Sequence, residues 1–180
     1  TIDDARQKFE GPKGIEFNFK DSWRFNVAAY RIDRLLGLGM IPATVERLYN
    51  GKRGSFTWWL DDVLMDEEER QRRQQRAPNA VDWDQQMWTM RLFDQLIANV
   101  DRNMGNLLID KGWNMWMIDH SRAFRLNGKP RTEGHLSRVE RSLLQRLRAL
   151  DRDGVRQAAG PYLTGEEISA MMKRRDRIVA

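Results

Sequence analysis

Apolar residues at Phe25, Ala28, Ala29, Ile32, Leu35 and Leu36 recur at close to 3.6-residue spacing, which predicts an amphipathic helix. Asp21 or Ser22 is placed to cap it, and Gly37 or Gly39 to stop it. A second such stripe, Met87, Met90, Phe93 and Ile97, predicts a long helix over 84–99 with that face buried. Between the two helices the period changes. Residues 40–49, with Pro42, read as extended, 51–54 as a turn, and 55–65 as a strand or short helix. Residues 66–76 alternate blocks of acid and base. The acid-first pairs Asp66–Arg70, Glu68–Arg72 and Glu69–Arg73 predict an exposed helix end, followed by a loop over 77–84. Two short apolar runs, 106–110 and 114–119, flank Lys111 and Gly112 and predict a β-hairpin. Residues 1–20, with Gly11, Pro12 and Gly14, read as irregular or short-strand structure. Beyond a Gly/Pro loop at 127–134, two further helices are expected. Ser137 with Glu140, and Thr164 with Glu167, have capping-box spacing at their starts. The expected class is α+β, mainly helical, with a small strand pair in the middle.

Composition narrows this little. The chain has 180 residues, one domain's worth, with 41% apolar and 32% charged residues, ordinary for a globular protein. No apolar run is long enough for a transmembrane helix. The N-terminus is polar and acidic, unlike a secretory signal, and the missing Met suits a fragment or a processed product. Having no cysteine, the chain can form neither disulfides nor thiolate zinc sites, which fits a reducing, cytoplasmic setting. The net charge of +5 is concentrated from Arg131 onward, with 11 bases against 7 acids. The acids are interspersed and aromatics are scarce there, so a solvated helical surface is expected rather than a nucleic-acid interface.

The residues that carry chemistry lie around the predicted hairpin. Asp101 and Asn103 fall in the loop before it, Asn106 opens its first strand, and Asp119 ends its second. Folding the hairpin back brings Asn106 and Asp119 to one end, near the loop bearing Asp101. Hard oxygen ligands of this kind suit Mg²⁺, and the remaining carboxylate can orient a hydroxyl or accept its proton. Each residue also has a structural reading: Asp101 caps a turn, Asn106 satisfies loop backbone, and Asp119 caps the segment after the hairpin.

"DRNMGN" (101–106) followed by "ID" ending at Asp119 resembles the catalytic and metal-binding loops of the protein-kinase-like superfamily. It is most similar to the atypical branch of phosphoinositide 3- and 4-kinases, HipA-type kinases and secretory-pathway kinases. "FNVAAYRIDRLLGLGMIPATVER" (25–47) resembles the small-lobe helix and following strand of bacterial members. The resemblance implies a kinase-like large lobe over 61–180 and a remnant of a small lobe over 1–60, reduced or truncated. It implies Asp101 as the catalytic aspartate, Asn106 and Asp119 as the metal ligands, and ATP with Mg²⁺ as cofactors. Arg102 matches the motif's arginine, expected to be structural, and Arg102, Asn103 and His120 are the expected cofactor-binding residues. The implied partners are a nucleotide and an unknown phosphate acceptor: protein, lipid or small molecule.

The sequence departs from that pattern in four places. Asn103 replaces a His, and His120-Ser121 replaces Phe-Gly. Asn26 stands near the helix glutamate that pairs with an ATP-positioning lysine, and an amide cannot form that ion pair. No Gly-rich loop exists, and none of Lys8, Lys13 and Lys20 reads as lying in an apolar strand. A kinase and a pseudokinase-like binding module therefore both remain open. His120 is either a phosphate contact or proton shuttle, or a hydrogen-bonded loop residue, whereas His135 is expected at the surface. Seven tryptophans, among them Trp58 and Trp59, are expected mainly in the core, with one at the hinge-like segment able to stack on an adenine. Ser121 and Arg122 either grip a phosphate or join the fold's own ion pairs.

Overall fold

The computed structural model describes residues 3–11, 14–132, 136 and 138–180. Its first element corrects the reading of the N-terminus as irregular or short strand. Two nine-residue strands, β1 (Asp3–Gly11) and β2 (Gly14–Ser22), pair antiparallel from Asp3 opposite Ser22 to Gly11 opposite Gly14. Ile15, Phe17 and Phe19 do alternate with polar residues at the period of two that marks a strand, and the pairing holds on both sides of Asn18, which stands at φ 54°. Lys20 accordingly lies in a strand, and its ammonium meets Glu167 at 2.5 Å.

Helix α1 (Trp23–Leu35) comes directly after. Ser22 is the cap, its hydroxyl accepting from the Arg24 N–H and donating to Asp3 at 2.6 Å. Phe25, Ala28, Ala29, Ile32 and Leu36 are buried as the stripe predicts, while Leu35 points partly outward. Gly37 and Gly39, at φ 61° and 72°, turn the chain away. The buried Asp33 carboxylate closes that turn by accepting from the Met40 N–H at 2.9 Å, and burial raises its pKa. Strands β3 (Thr44–Tyr49) and β4 (Lys52–Thr57) form a second hairpin. Its turn is Asn50-Gly51, not 51–54, because a two-residue turn of this hand needs two positive φ values and Asn-Gly takes them, at 49° and 72°.

The hairpin expected at 106–119 is part of a larger sheet. β5 (Val63–Asp66) pairs with β6 (Leu107–Asp110), and β6 with β7 (Met115–Met117), all antiparallel. Asp66 caps the short helix α2 (Glu67–Arg72) through the Glu69 N–H instead of pairing with Arg70. Arg70 pairs with the buried Glu67, and Glu69 takes both Arg72 and Arg73. Helix α3 (Ala80–Ile97) starts ahead of the predicted Asp84 because Asn79 caps the Val81 and Asp82 N–H groups.

Among the described residues three helices, not two, follow: α4 (Arg141–Ala149), α5 (Arg152–Ala159) and α6 (Gly165–Val179). The additional one, α5, is capped by Asp151. Thr164 and Glu167 form the expected capping box. Ser137 and His135 lie outside the described residues, and Glu140 caps α4 without a side-chain bond. Among the described residues one apolar core joins α1, α3, β5–β7 and the last three helices, with Phe25, Ile32, Phe93, Ile109, Met117 and Met171 among its buried members. Among the described residues no helix is long and apolar enough to cross a membrane.

Candidate active site

Two backbone segments meet at one edge of the core: 99–106, leaving α3, and 117–122, leaving β7. Leu107 stands opposite Met117, and beyond that pair the Ile118 N–H donates to the Asn106 carbonyl at 3.1 Å. Asn106, ending a 3-10 turn over Met104–Asn106, is therefore the cross-strand neighbour of the residue before Asp119. The loop is joined to the other segment at its start as well. The Val100 N–H meets the Arg122 carbonyl at 3.5 Å, and the Arg122 guanidinium lies 3.4 Å from the Asp101 carboxylate. Asp101 and Asn106 are partly exposed and Asp119 is exposed.

Asp119 has φ 53°, a left-handed conformation that costs most residues about 1–2 kcal/mol and Asp rather less. The bonds around it hold that conformation. The Met117 N–H donates to the Met40 carbonyl at 2.7 Å, the His120 N–H to Asn26 Oδ1 at 2.6 Å, and the Ser22 N–H to the Ser121 carbonyl at 2.9 Å. All three partners belong to α1 or its flanks. Asp119 Oδ1 in turn accepts from the Ser121 hydroxyl at 2.9 Å.

The other segment is held by Arg102. Its guanidinium forks onto the buried Asp94 at 2.9 and 3.0 Å, and it reaches the carbonyls of Asn106 and Ile118 at 3.2 and 2.8 Å. A further donor meets His120 Nε2 at 2.8 Å. Asp94 also accepts from Asn99, whose Oδ1 takes the Asp101 N–H at 3.2 Å. One carboxylate on α3 thus positions both the loop and the strand end.

No family model matches the chain, and no curated protein matches it. Solved structures do. One, the structure of hydra Fam20 with sugar, aligns with a TM-score of 0.65 over 88% of this chain and 70% of that chain, at 17% identity. The chain is α+β, and its fold resembles a kinase-like one.

Three residues singled out for the nucleotide are used by the fold in definite ways. Arg102 is turned inward and staples the loop to the strand end. Asn103 caps the 3-10 turn, its Oδ1 accepting from the Asn106 N–H at 3.0 Å. His120 is buried, its ring edge-on to Phe93. Arginine only donates, so His120 Nε2 must be an acceptor and the proton sits on Nδ1. Burial, and then the Arg102 charge, hold its pKa well below the usual histidine range. Asp94 and Asn99 are site residues that the sequence does not single out. The available signal is an aspartate inside the Met90–Phe93–Ile97 stripe, where solvent does not reach.

A cavity of about 950 Å³ opens between the β1–β2 hairpin, residues 122–131 and the start of α6. Asp101 lines it, whereas Asn106 and Asp119 do not. Trp58 and Trp59 correct the expectation of core packing. They lie just after β4 at 71% and 81% exposure, while the buried Trp83 packs edge-on against Trp113. Among the described residues no group of three or more His, Asp or Glu side chains is arranged to hold a metal. Asn106 and Asp119, brought near each other by the Ile118–Asn106 backbone bond, are two oxygen donors that could hold a metal with help from a bound ligand. Such a set fits Mg²⁺, which takes few protein ligands and fills its shell with phosphate oxygens and water.

Proposed function

We propose that the protein is a phosphotransferase of the atypical kinase type, with residues 1–60 serving as a reduced small lobe and 61–180 as the large lobe. The observation that carries this is the left-handed Asp119, held by three backbone-directed bonds and set beside Asn106 by the Asn106–Ile118 bond. Strain maintained by its surroundings is characteristic of functional positions. Asp101 orients the acceptor hydroxyl and receives its proton. As the acceptor oxygen bonds to the γ-phosphorus, the bond from that phosphorus to the ADP oxygen breaks, and ADP leaves with the electron pair. Asn106 and Asp119 would hold Mg²⁺, which when bound neutralises phosphate charge. The chain's own contribution is mainly positioning, through Arg102, Asp94 and α1.

A second reading, a pseudokinase-like binding module, has its own support. Asn26, where a glutamate would pair with the ATP-positioning lysine, is engaged by the His120 N–H, and Lys20 is engaged by Glu167. Calorimetry of ATP with and without Mg²⁺, on the wild type and on Asp119→Asn, separates the two. Mg²⁺-dependent binding that Asp119→Asn abolishes is expected for the kinase. Binding that ignores both the metal and the substitution belongs to the module.

A further inference from the structure

We infer that the cavity beside Asp101 binds a small hydroxylated acceptor carrying an anionic group, a phosphate or a carboxylate. This rests on the phosphotransferase reading and specifies its acceptor. The volume, about 950 Å³, lies within the range of roughly 300–1,000 Å³ usual for small-ligand clefts. Asp101 lines it and Asn106 and Asp119 do not, so an acceptor here reaches the Asp101 carboxylate without displacing the metal-binding pair.

The charge of the walls sets the acceptor's chemistry. From His120 to Thr132 the sequence contains no acid, and Arg122, Arg125, Lys129 and Arg131 from this segment all line the cavity. Lys129 and Arg131 are exposed, and neither has a carboxylate partner among the described residues. Arg122 pairs with the Asp101 carboxylate at 3.4 Å, and on the opposite wall Lys20 and Glu167 neutralise each other at 2.5 Å beside the exposed Glu166, which leaves Lys129 and Arg131 as the cations that set the charge of the opening. The floor is aromatic: Phe9 and Phe19 stack with centroids 4.2 Å apart, and the Arg122 guanidinium lies 5.0 Å from the Phe19 ring. Cations above an apolar floor are less screened than cations on an open surface, so an anion gains more from them here. The Arg125 bond to the Asn18 carbonyl, at 3.3 Å, ties this wall to the hairpin.

The test uses the full chain without nucleotide and ligand-observed NMR with glycerol 3-phosphate, glycerate, glycerol and inorganic phosphate as probes. Both organic anions should bind, glycerol should not, and inorganic phosphate should bind more weakly than glycerol 3-phosphate. Lys129→Glu/Arg131→Glu replaces two exposed side chains and should leave the fold intact. It should weaken the organic anions at least ~10-fold, on the order of 1.4 kcal/mol, while Asp119→Asn leaves them unchanged. Glycerol binding as well as glycerol 3-phosphate, inorganic phosphate matching it, or indifference to the charge reversal would each overturn the inference. So would an acidic serine peptide outcompeting every small anion. Mg²⁺-dependent ATP binding on the same samples reports separately. Its loss in Asp119→Asn alongside absent anion binding removes only this inference, whereas anion binding without Mg²⁺-dependent ATP binding removes the kinase reading and keeps an anion site.

Discussion

Arg102→Met is the most severe single change that the site's architecture predicts away from the reacting atoms. Methionine keeps much of the aliphatic stem and removes every donor. Asp94, buried to 6% exposure, would lose both arms of the guanidinium fork and keep the Asn99 bond. The carbonyls of Asn106 and Ile118 and the His120 ring would lose a donor as well. Removing one partner of a buried ion pair costs about 3–5 kcal/mol, because a charge remains without compensation. For a chain of this size each kcal/mol moves the melting temperature by roughly 2–4 °C, so a fall of about 6–20 °C is expected.

Thermal unfolding followed by circular dichroism measures this directly. Surface pairs supply the control: Arg72→Met, which breaks an exposed pair with Glu69, should stay within about 1 kcal/mol of wild type. The double variant Asp94→Asn/Arg102→Met removes the stranded charge and should recover at least about 1 kcal/mol over Arg102→Met. A fall below about 3 °C for Arg102→Met, or no recovery in the double variant, would refute Asp94 and Arg102 as the brace of this loop.

Two further outcomes are set by buried groups. His120 stays neutral when folded but binds a proton near pH 6.5 when unfolded, so its contribution is present above that pH and is lost as the pH falls through it. Urea unfolding across a pH series should show a slope of up to ~1.4 kcal/mol per pH unit between about pH 6.5 and 5, which His120→Gln flattens. Arg174 on α6, fully buried and with its pKa pulled down to about 10, donates to the Leu96 and Arg125 carbonyls at 2.8 Å and also to Asn127. Arg174→Met should cost about 1–3 kcal/mol for each carbonyl left without a donor, and limited proteolysis should then cut within 125–132 before the rest of the chain.

The sequence was most legible where structure is local. Helix α1 could be read because stripe, cap and stop all lie close together in the chain, and the loop-hairpin order of Asp101, Asn106 and Asp119 could be read because a short hairpin returns the chain on itself. What could not be read is what the chain settles across distance. β5 joins β6 through partners on either side of α3, so the strand option at 55–65 could not reveal that Val63 lies opposite Asp110. Asp94 looks like a polar interruption of an apolar stripe until Arg102 arrives beyond the helix end on a non-helical path. His120 comes directly after Asp119, and a single left-handed residue decides which way it faces, a choice that no periodicity encodes. Lys20 is the sharpest case. Its partner Glu167 lies 147 residues further on, and that carboxylate is also committed to the cap of α6. A lysine on the strand before α1, the natural place to look for a phosphate contact, is thereby tied to the C-terminal helices. If Lys20 serves the nucleotide at all, it must first leave Glu167, so the same ion pair that fixes the hairpin also sets the cost of completing the phosphate side of the site.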